Sequence, residues 1–127
     1  MKINTNGKIR VVVTGMGVIS SIGFGKDEFW KNLINGKSGI SKVDAFDTSD
    51  HSTHFGGEIK NFNPQGFMSR KKAKIMARAS HLAIAAAKLA LKDAELDYKK
   101  SSLDNTAVFL GTTGGESQKI EEMDAVW

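Results

Sequence analysis

The sequence predicts an α/β fold, and three observations carry that prediction. Residues 9–17 read Ile-Arg-Val-Val-Val-Thr-Gly-Met-Gly, an apolar run that empties into two glycines. Residues 106–115 repeat the pattern as Thr-Ala-Val-Phe-Leu followed by Gly-Thr-Thr-Gly-Gly. Between them, the stretch from Ser69 to about Leu96 carries apolar residues at helical spacing. Apolar runs without polar alternation mark strands covered on both faces, and strands separated by helical segments mark a parallel sheet. Such sheets place ligands beyond the carboxyl ends of their strands. If the two strands are parallel, their glycine turns share one edge and wall one site.

Of the ligands that turn could serve, a dinucleotide is the first to test. Gly15-x-Gly17 begins the dinucleotide fingerprint, but Ser20 stands where the third glycine belongs. The variant spacing of short-chain dehydrogenases fails as well, with Ile19 and Ser21 in place of glycines. Val18-Ile19-Ser20-Ser21-Ile22-Gly23 reads as continued extended chain and not as a phosphate-binding helix. A nucleotide-binding oxidoreductase is therefore disfavoured, and the pair of glycines reads as a turn.

The 127 residues suit one modest domain, and the 40% hydrophobic and 25% charged fractions are ordinary for a globular protein. No apolar run approaches the roughly 20 residues of a membrane helix, and the start of the chain lacks a signal-peptide core. A cytoplasmic location is expected, with neither membrane nor nucleic acid as partner. The chain has no cysteine, which excludes disulfides, thiolate metal sites and a cysteine nucleophile within it. The net charge of +4 is compatible with an acidic partner.

After the first strand and turn, Lys26 to Ile34 predicts a helix. Asp27 and Glu28 fall in its first turn, where negative charge suits the dipole. Phe29, Trp30, Leu33 and Ile34 form an apolar face assigned to core packing, and Gly36 is the C-terminal cap. From Ile40 to Asn63 periodicity is poor. Phe55-Gly56-Gly57-Glu58-Ile59 reads as a short strand or hairpin arm, and Asn63-Pro64-Gln65-Gly66 as a turn. His51 and His54 belong to a solvated loop, since two histidines fall short of a zinc ligand set.

Ser69 is the N-cap of the long helix. Ile75, Ala79, Leu82, Ala86, Leu89 and Ala90 share one face, widened by Met76, Ala83, Ala87 and Leu91. Around residues 83–87 the helix is small nearly all round, so other elements can approach its backbone. His81 within it reads as structural. Arg70, Lys71, Lys72 and Lys74 put positive charge on a turn that already carries positive partial charge. Solvated lysines are the plain reading; a dock for an anion or acidic protein is the sharper one. Asp97-Tyr98-Lys99-Lys100 is a polar connector. A closing helix begins near Glu116, with Ile120, Met123 and Trp127 as its stripe.

In this order the landmarks resemble the N-terminal part of the β-ketoacyl-acyl-carrier-protein synthases, the condensing enzymes of fatty-acid and polyketide synthesis. Arg10-Val11-Val12-Val13-Thr14-Gly15-Met16-Gly17 is similar to their first strand. Trp30-Lys31-Asn32-Leu33 with Gly36-Lys37-Ser38-Gly39-Ile40 is similar to their first helix and its exit. Gly57-Glu58-Ile59, Phe62-Asn63-Pro64 and Met68-Ser69-Arg70-Lys71 resemble the lead-in to their alanine-rich helix. Gly111-Thr112-Thr113-Gly114-Gly115 resembles their glycine loop.

The resemblance implies the N-terminal part of a thiolase-like fold, layered α-β-α-β-α in the complete enzyme, in which two subunits usually pair. It implies decarboxylative Claisen chemistry, with a cysteine that takes the acyl group and two histidines that help decarboxylate malonyl-carrier protein. None of these catalytic residues is present: His51, His54 and His81 match neither histidine. The chain is expected to be an N-terminal portion, residues 1–127, cut before the cysteine and inactive alone, with no catalytic residue, metal or cofactor. The resemblance places carrier-protein docking at Arg70, Lys71 and Lys74, and an acyl-pocket loop at Thr113, Gly114 and Gly115. There are departures. Thr113 replaces the middle glycine, Gly114 stands where a larger apolar residue faces the pocket, Glu116 follows Gly115, and Ile75 replaces a residue often basic. Acyl carrier protein and self-association are the expected partners. A non-catalytic module binding an acidic carrier protein is the alternative.

Overall fold

The computed structural model describes residue 7, residues 10–100, residue 102 and residues 104–125. Ile9 and Trp127, each part of a predicted element, lie outside the described residues. The elements in chain order are β1 (Ile19–Ser20), β2 (Gly23–Phe24), α1 (Lys26–Ile34), β3 (Ser41–Lys42) and β4 (Phe55–Gly56). A 3₁₀ turn (Pro64–Gly66), α2 (Arg70–Ile75), α3 (Arg78–Asp93) and α4 (Ser117–Asp124) follow. Both ladders are two-stranded and antiparallel. Ile19 faces Phe24 and Ser20 faces Gly23 in the first; Ser41 faces Gly56 and Lys42 faces Phe55 in the second.

The chain packs around α3. Ala85 is its fully buried residue, and residues 15–17 lie directly on the helix backbone. A Cβ on Gly17 would stand 1.9 Å from the Ala86 carbonyl oxygen, and one on Gly15 would stand 2.3 Å from that of Ala90. Alanines 86, 90 and 94 keep the opposing surface equally bare. The two glycines therefore serve backbone-to-helix packing, which is the physical reason a side chain is missing at both. The Met16 N–H donates to Asp93 Oδ2 at 2.9 Å, and Asp93 also pairs with Lys26, the first residue of α1. These two contacts hold the Asp93 carboxyl below its ordinary range, the Lys26 contact being the larger cause, and the bond to Asp93 in turn raises Lys26.

Residues 18–25 form a tight hairpin that leads into α1, in keeping with extended chain at that point. The Gly25 N–H bonds the Val18 carbonyl at 2.7 Å, and Gly25 adopts φ 83°. Asp27 and Glu28 occupy the first turn of α1, and Glu28 accepts the Phe24 N–H at 2.8 Å. At the other end Gly36 is left-handed, at φ 66°. Its N–H bonds the Leu33 carbonyl at 3.0 Å while the Lys37 N–H bonds the Asn32 carbonyl at 2.9 Å. This is the double-bonded glycine stop that the sequence predicted.

Three expectations need correction. Residues 10–18 and 106–110 form no strand among the described residues, and Val11 (90% exposed), Val108 (91%) and Phe109 (94%) are bare. A strand inside a sheet takes hydrogen bonds from neighbours on both sides, and apart from the Gly25 N–H on the Val18 carbonyl the described residues supply no strand partner here. The apolar face of α1 is not core either: Trp30, Leu33 and Ile34 are exposed, and Phe29 and Asn32 are the half-buried pair. Asn32 donates its amide to the Ile22 carbonyl. The long helix is two, because Met76 (ψ 150°) and Ala77 (ψ 179°) are extended. Ile75, assigned to the core face, is 73% exposed beside that break. Ile120 and Met123 lie on α4 as predicted and are exposed.

Gly17→Ala is expected to destabilise the chain at or beyond the upper end of the roughly 1–3 kcal/mol typical of overpacking, because backbone faces backbone there. Gly66→Ala, with open space around it, is the neutral control. Urea unfolding followed by circular dichroism measures both; equal midpoints for Gly17→Ala and wild type would refute the contact.

The Asp93 carboxyl titrates lower in the folded chain than in the unfolded one. Its stabilising contribution is therefore full above the ordinary aspartate pKa and is lost as pH falls through the depressed folded value. Acid unfolding from about pH 5 downward should show a shallower pH slope in Asp93→Asn. An unchanged slope would mean that the Lys26–Asp93–Met16 cluster does not stabilise the fold.

Candidate functional site

Two regions carry the candidate site residues, and both sit at the start of α3. The first is the basic turn. Phe24 packs edge-on to Phe62, with ring centroids 6.0 Å apart, and Phe62 stacks on Phe67 at 5.9 Å. That aromatic run anchors the lead-in to the β1–β2 hairpin. Asn63 accepts the Gln65 N–H at 3.0 Å to start the 3₁₀ turn, and buried Met68 follows. Ser69 then caps α2 by accepting the Lys72 N–H at 3.4 Å, as predicted.

Arg70, Lys71, Lys72 and Lys74 all point into solvent from α2, and none takes part in an ion pair among the described residues. No acidic residue stands in the first turn of α2 to neutralise them. His81 reaches back from α3 to bond the Ala73 carbonyl through Nε2 at 3.0 Å. That contact is structural, as the sequence implied, and it holds α2 against α3 across the break. Arg78 is not part of the free basic set, because its guanidinium donates to the Ile59 carbonyl.

The second region is the glycine loop. Thr113, Gly114 and Gly115 are exposed. Gly115 is left-handed at φ 55°, and its N–H donates to Thr112 Oγ1 at 3.0 Å. The next residue, Glu116, turns its carboxylate onto α3. It accepts the Ala79 N–H at 3.2 Å, the Ser80 N–H at 2.9 Å and the Ser80 hydroxyl. The Ser80 hydroxyl bond is the largest cause of a depressed Glu116 carboxyl. Residues 14–17 form no turn, and the two glycine segments meet α3 at different places, Gly15 and Gly17 along Ala86 to Ala94, Glu116 at Ala79 and Ser80.

Three carboxylates that join distant segments were missed in the sequence: Asp93, Glu116 and Glu58. Glu58 accepts the N–H groups of Asp44 (3.0 Å) and Ala45 (2.9 Å), which depress its carboxyl, and Lys60 lies 3.6 Å away. Asp93 had a signal, since an acid in the last turn of a helix opposes the dipole unless something compensates it. Glu116 had one too, as an acid directly after a glycine loop. Glu58 had none.

His51 and His54 do not converge: His51 packs edge-on to Phe46, and His54 Nδ1 meets Thr48 Oγ1 at 3.0 Å. Among the described residues no group of three or more metal-ligating side chains occurs, and no helix is long and apolar enough to cross a membrane. A cleft of about 360 Å³ lies between the β1–β2 turn and residues 37–41. Of its charged lining residues, Glu28, Glu58 and Lys60 are already engaged in the contacts above or with Asp44, and Lys37 is the fourth.

The family described as "Beta-ketoacyl synthase, N-terminal domain" matches residues 8–126. A 3-oxoacyl-[acyl-carrier-protein] synthase 2 from Synechocystis sp. is 39% identical over 119 residues, covering 94% of this chain and 29% of that protein. One of the same name from Staphylococcus aureus is 41% identical over 113 residues, covering 89% and 27%. The ishigamide ketosynthase/chain length factor structure superposes with a TM-score of 0.75 at 34% identity, over 90% of this chain and 28% of that one. The chain thus spans under a third of the length of these relatives.

Proposed function

We propose, on the premise that this chain belongs to the β-ketoacyl synthase N-terminal domain family, that it is the N-terminal portion, residues 1–127, of a condensing acyltransferase. In that reading an acyl group passes from carrier protein to a cysteine thiolate, malonyl-carrier protein loses carbon dioxide, and the carbanion attacks the acyl thioester. A carbon–carbon bond forms and the thiolate leaves. This chain contains no cysteine, so the thiolate of that reaction is not among its residues. Its contribution is recognition and scaffold: Arg70, Lys71 and Lys74 receive the acidic carrier protein, and Thr113, Gly114 and Gly115 border the acyl chain.

The observation that carries the docking assignment is the basic turn. Arg70 and Lys71 stand in the first turn of α2, where its dipole opposes them, and Lys72 and Lys74 in its last; all four are free of acidic partners among the described residues, and the adjoining Ile75 is exposed. Charge arranged this way speeds and orients encounter with an acidic protein. A non-catalytic module that binds an acidic carrier protein would use the same turn. A cytoplasmic location and pairing of subunits belong to the proposal. Bare Val11, Val13, Val108, Phe109 and Leu110 support the pairing, since large apolar patches mark interaction surfaces.

Reversing charge at both Lys71 and Lys74 to Glu should weaken binding of acyl carrier protein about tenfold at low salt, taking exposed pairs at up to about 1 kcal/mol each. The gap should narrow as salt rises. Fluorescence anisotropy across a salt series measures it. Equal affinity at low salt would leave the lysines merely solvated and sink the docking assignment.

The bare apolar segments should also make the chain self-associate. Sedimentation velocity over a concentration series is expected to show mass rising with concentration. A dilution-independent monomer that binds no hydrophobic dye would contradict this.

A further inference from the structure

Glu116 joins two helix starts at once. Its backbone carbonyl accepts the Lys119 and Ile120 N–H groups at 2.8 and 3.1 Å to open α4. Its side chain meanwhile takes the Ala79 and Ser80 N–H groups and the Ser80 hydroxyl at the start of α3. α3 has need of that partner, because its own N-cap is Ala77, which has no side-chain acceptor. The cap therefore arrives from 36 residues further along the chain.

Among the described residues the loop ahead of Glu116 has little else to hold it. Gly111 has open space on its Cβ side, Gly114 would meet only Ser117 Oγ at 4.0 Å, and the Gly115 bond to Thr112 is internal to the loop. We propose that Glu116 is the positioning residue of the glycine loop: by seating on the first turn of α3, its carboxylate sets where Thr113, Gly114 and Gly115 lie. The same helix turn is joined through His81 and Ala73 to the basic turn of α2. Glu116 thus registers the loop against the surface that faces the acidic partner. Its bearing on an acyl chain rests on the condensing reading; the tie between Glu116 and the loop does not.

The test is ¹⁵N relaxation of the full 127-residue chain with no partner present, so that its result is independent of carrier binding. In wild type the Gly114 and Gly115 amides are expected in the rigid range, near an order parameter of about 0.85, and in Glu116→Ala below about 0.6. Glu116→Gln keeps an acceptor for Ser80 and should recover most of the rigidity. Should Glu116→Ala fail to fold, Ser80→Ala, which removes only the hydroxyl donor, should lower the same two order parameters by a smaller amount. The proposal is overturned if the wild-type loop is already flexible. It is equally overturned if Gly114 and Gly115 stay rigid in Glu116→Ala while Ala79 and Ser80 loosen, which would make Glu116 a helix cap and nothing more. Rigidity unchanged in Ser80→Ala, where that variant carries the test, overturns it too.

Discussion

The seating of residues 15–17 on the backbone of α3 is the contact on which the rest depends. It tolerates no side chain on Gly15 or Gly17, whose added Cβ atoms would strike the backbone at Ala86, Ala90 and Ala94. Close approach brings the Met16 N–H within reach of Asp93, and Asp93 in turn fixes Lys26. Since Lys26 opens α1, one carboxylate positions residues 15–17, the first helix and the end of the longest helix together. The β1–β2 hairpin fills the eight residues between those anchors, and Asn32 ties α1 back to it at Ile22.

A second constraint acts at the other end of α3. Extended backbone at Met76 and Ala77 ends α2 early and leaves the first N–H groups of α3 without a local cap. Glu116 meets that need from beyond the glycine loop, and Arg78 and His81 pin the joint to Ile59 and Ala73. The break has an electrostatic consequence. A continuous helix would have put the four basic residues at the head of a long dipole; the short α2 gives them a single exposed turn of their own. In the condensing reading, the docking surface and the acyl-pocket loop are thus tied to the same turn of α3 from opposite sides.

The bare segments at residues 11–13 and 108–110 fit a chain that spans under a third of its relatives' length. The expected sheet is legible in the residues, three valines in one case and Val-Phe-Leu in the other. Strand formation is a pairing property, however, and sheet neighbours are remote in sequence. The same holds for Trp30, Leu33 and Ile34 on α1: a helix sequence shows which face is apolar, but not what covers it.

Local chemistry was therefore what the sequence determined by itself. The bounds of α1, its acidic first turn, the Gly36 stop, the Ser69 cap and the turn at Asn63-Pro64 were all readable. Each rests on groups within a few residues of one another. The order of those landmarks also carried the family and its layered fold, together with the small-residue surface of the long helix. Tertiary structure alone decided that the long helix divides at Met76, that Gly15 and Gly17 serve packing and not phosphate, and that Asp93, Glu58 and Glu116 hold remote backbone amides. Those outcomes depend on which segments meet in space. A carboxylate's partner 36 or 77 residues away leaves no mark on the residues around it.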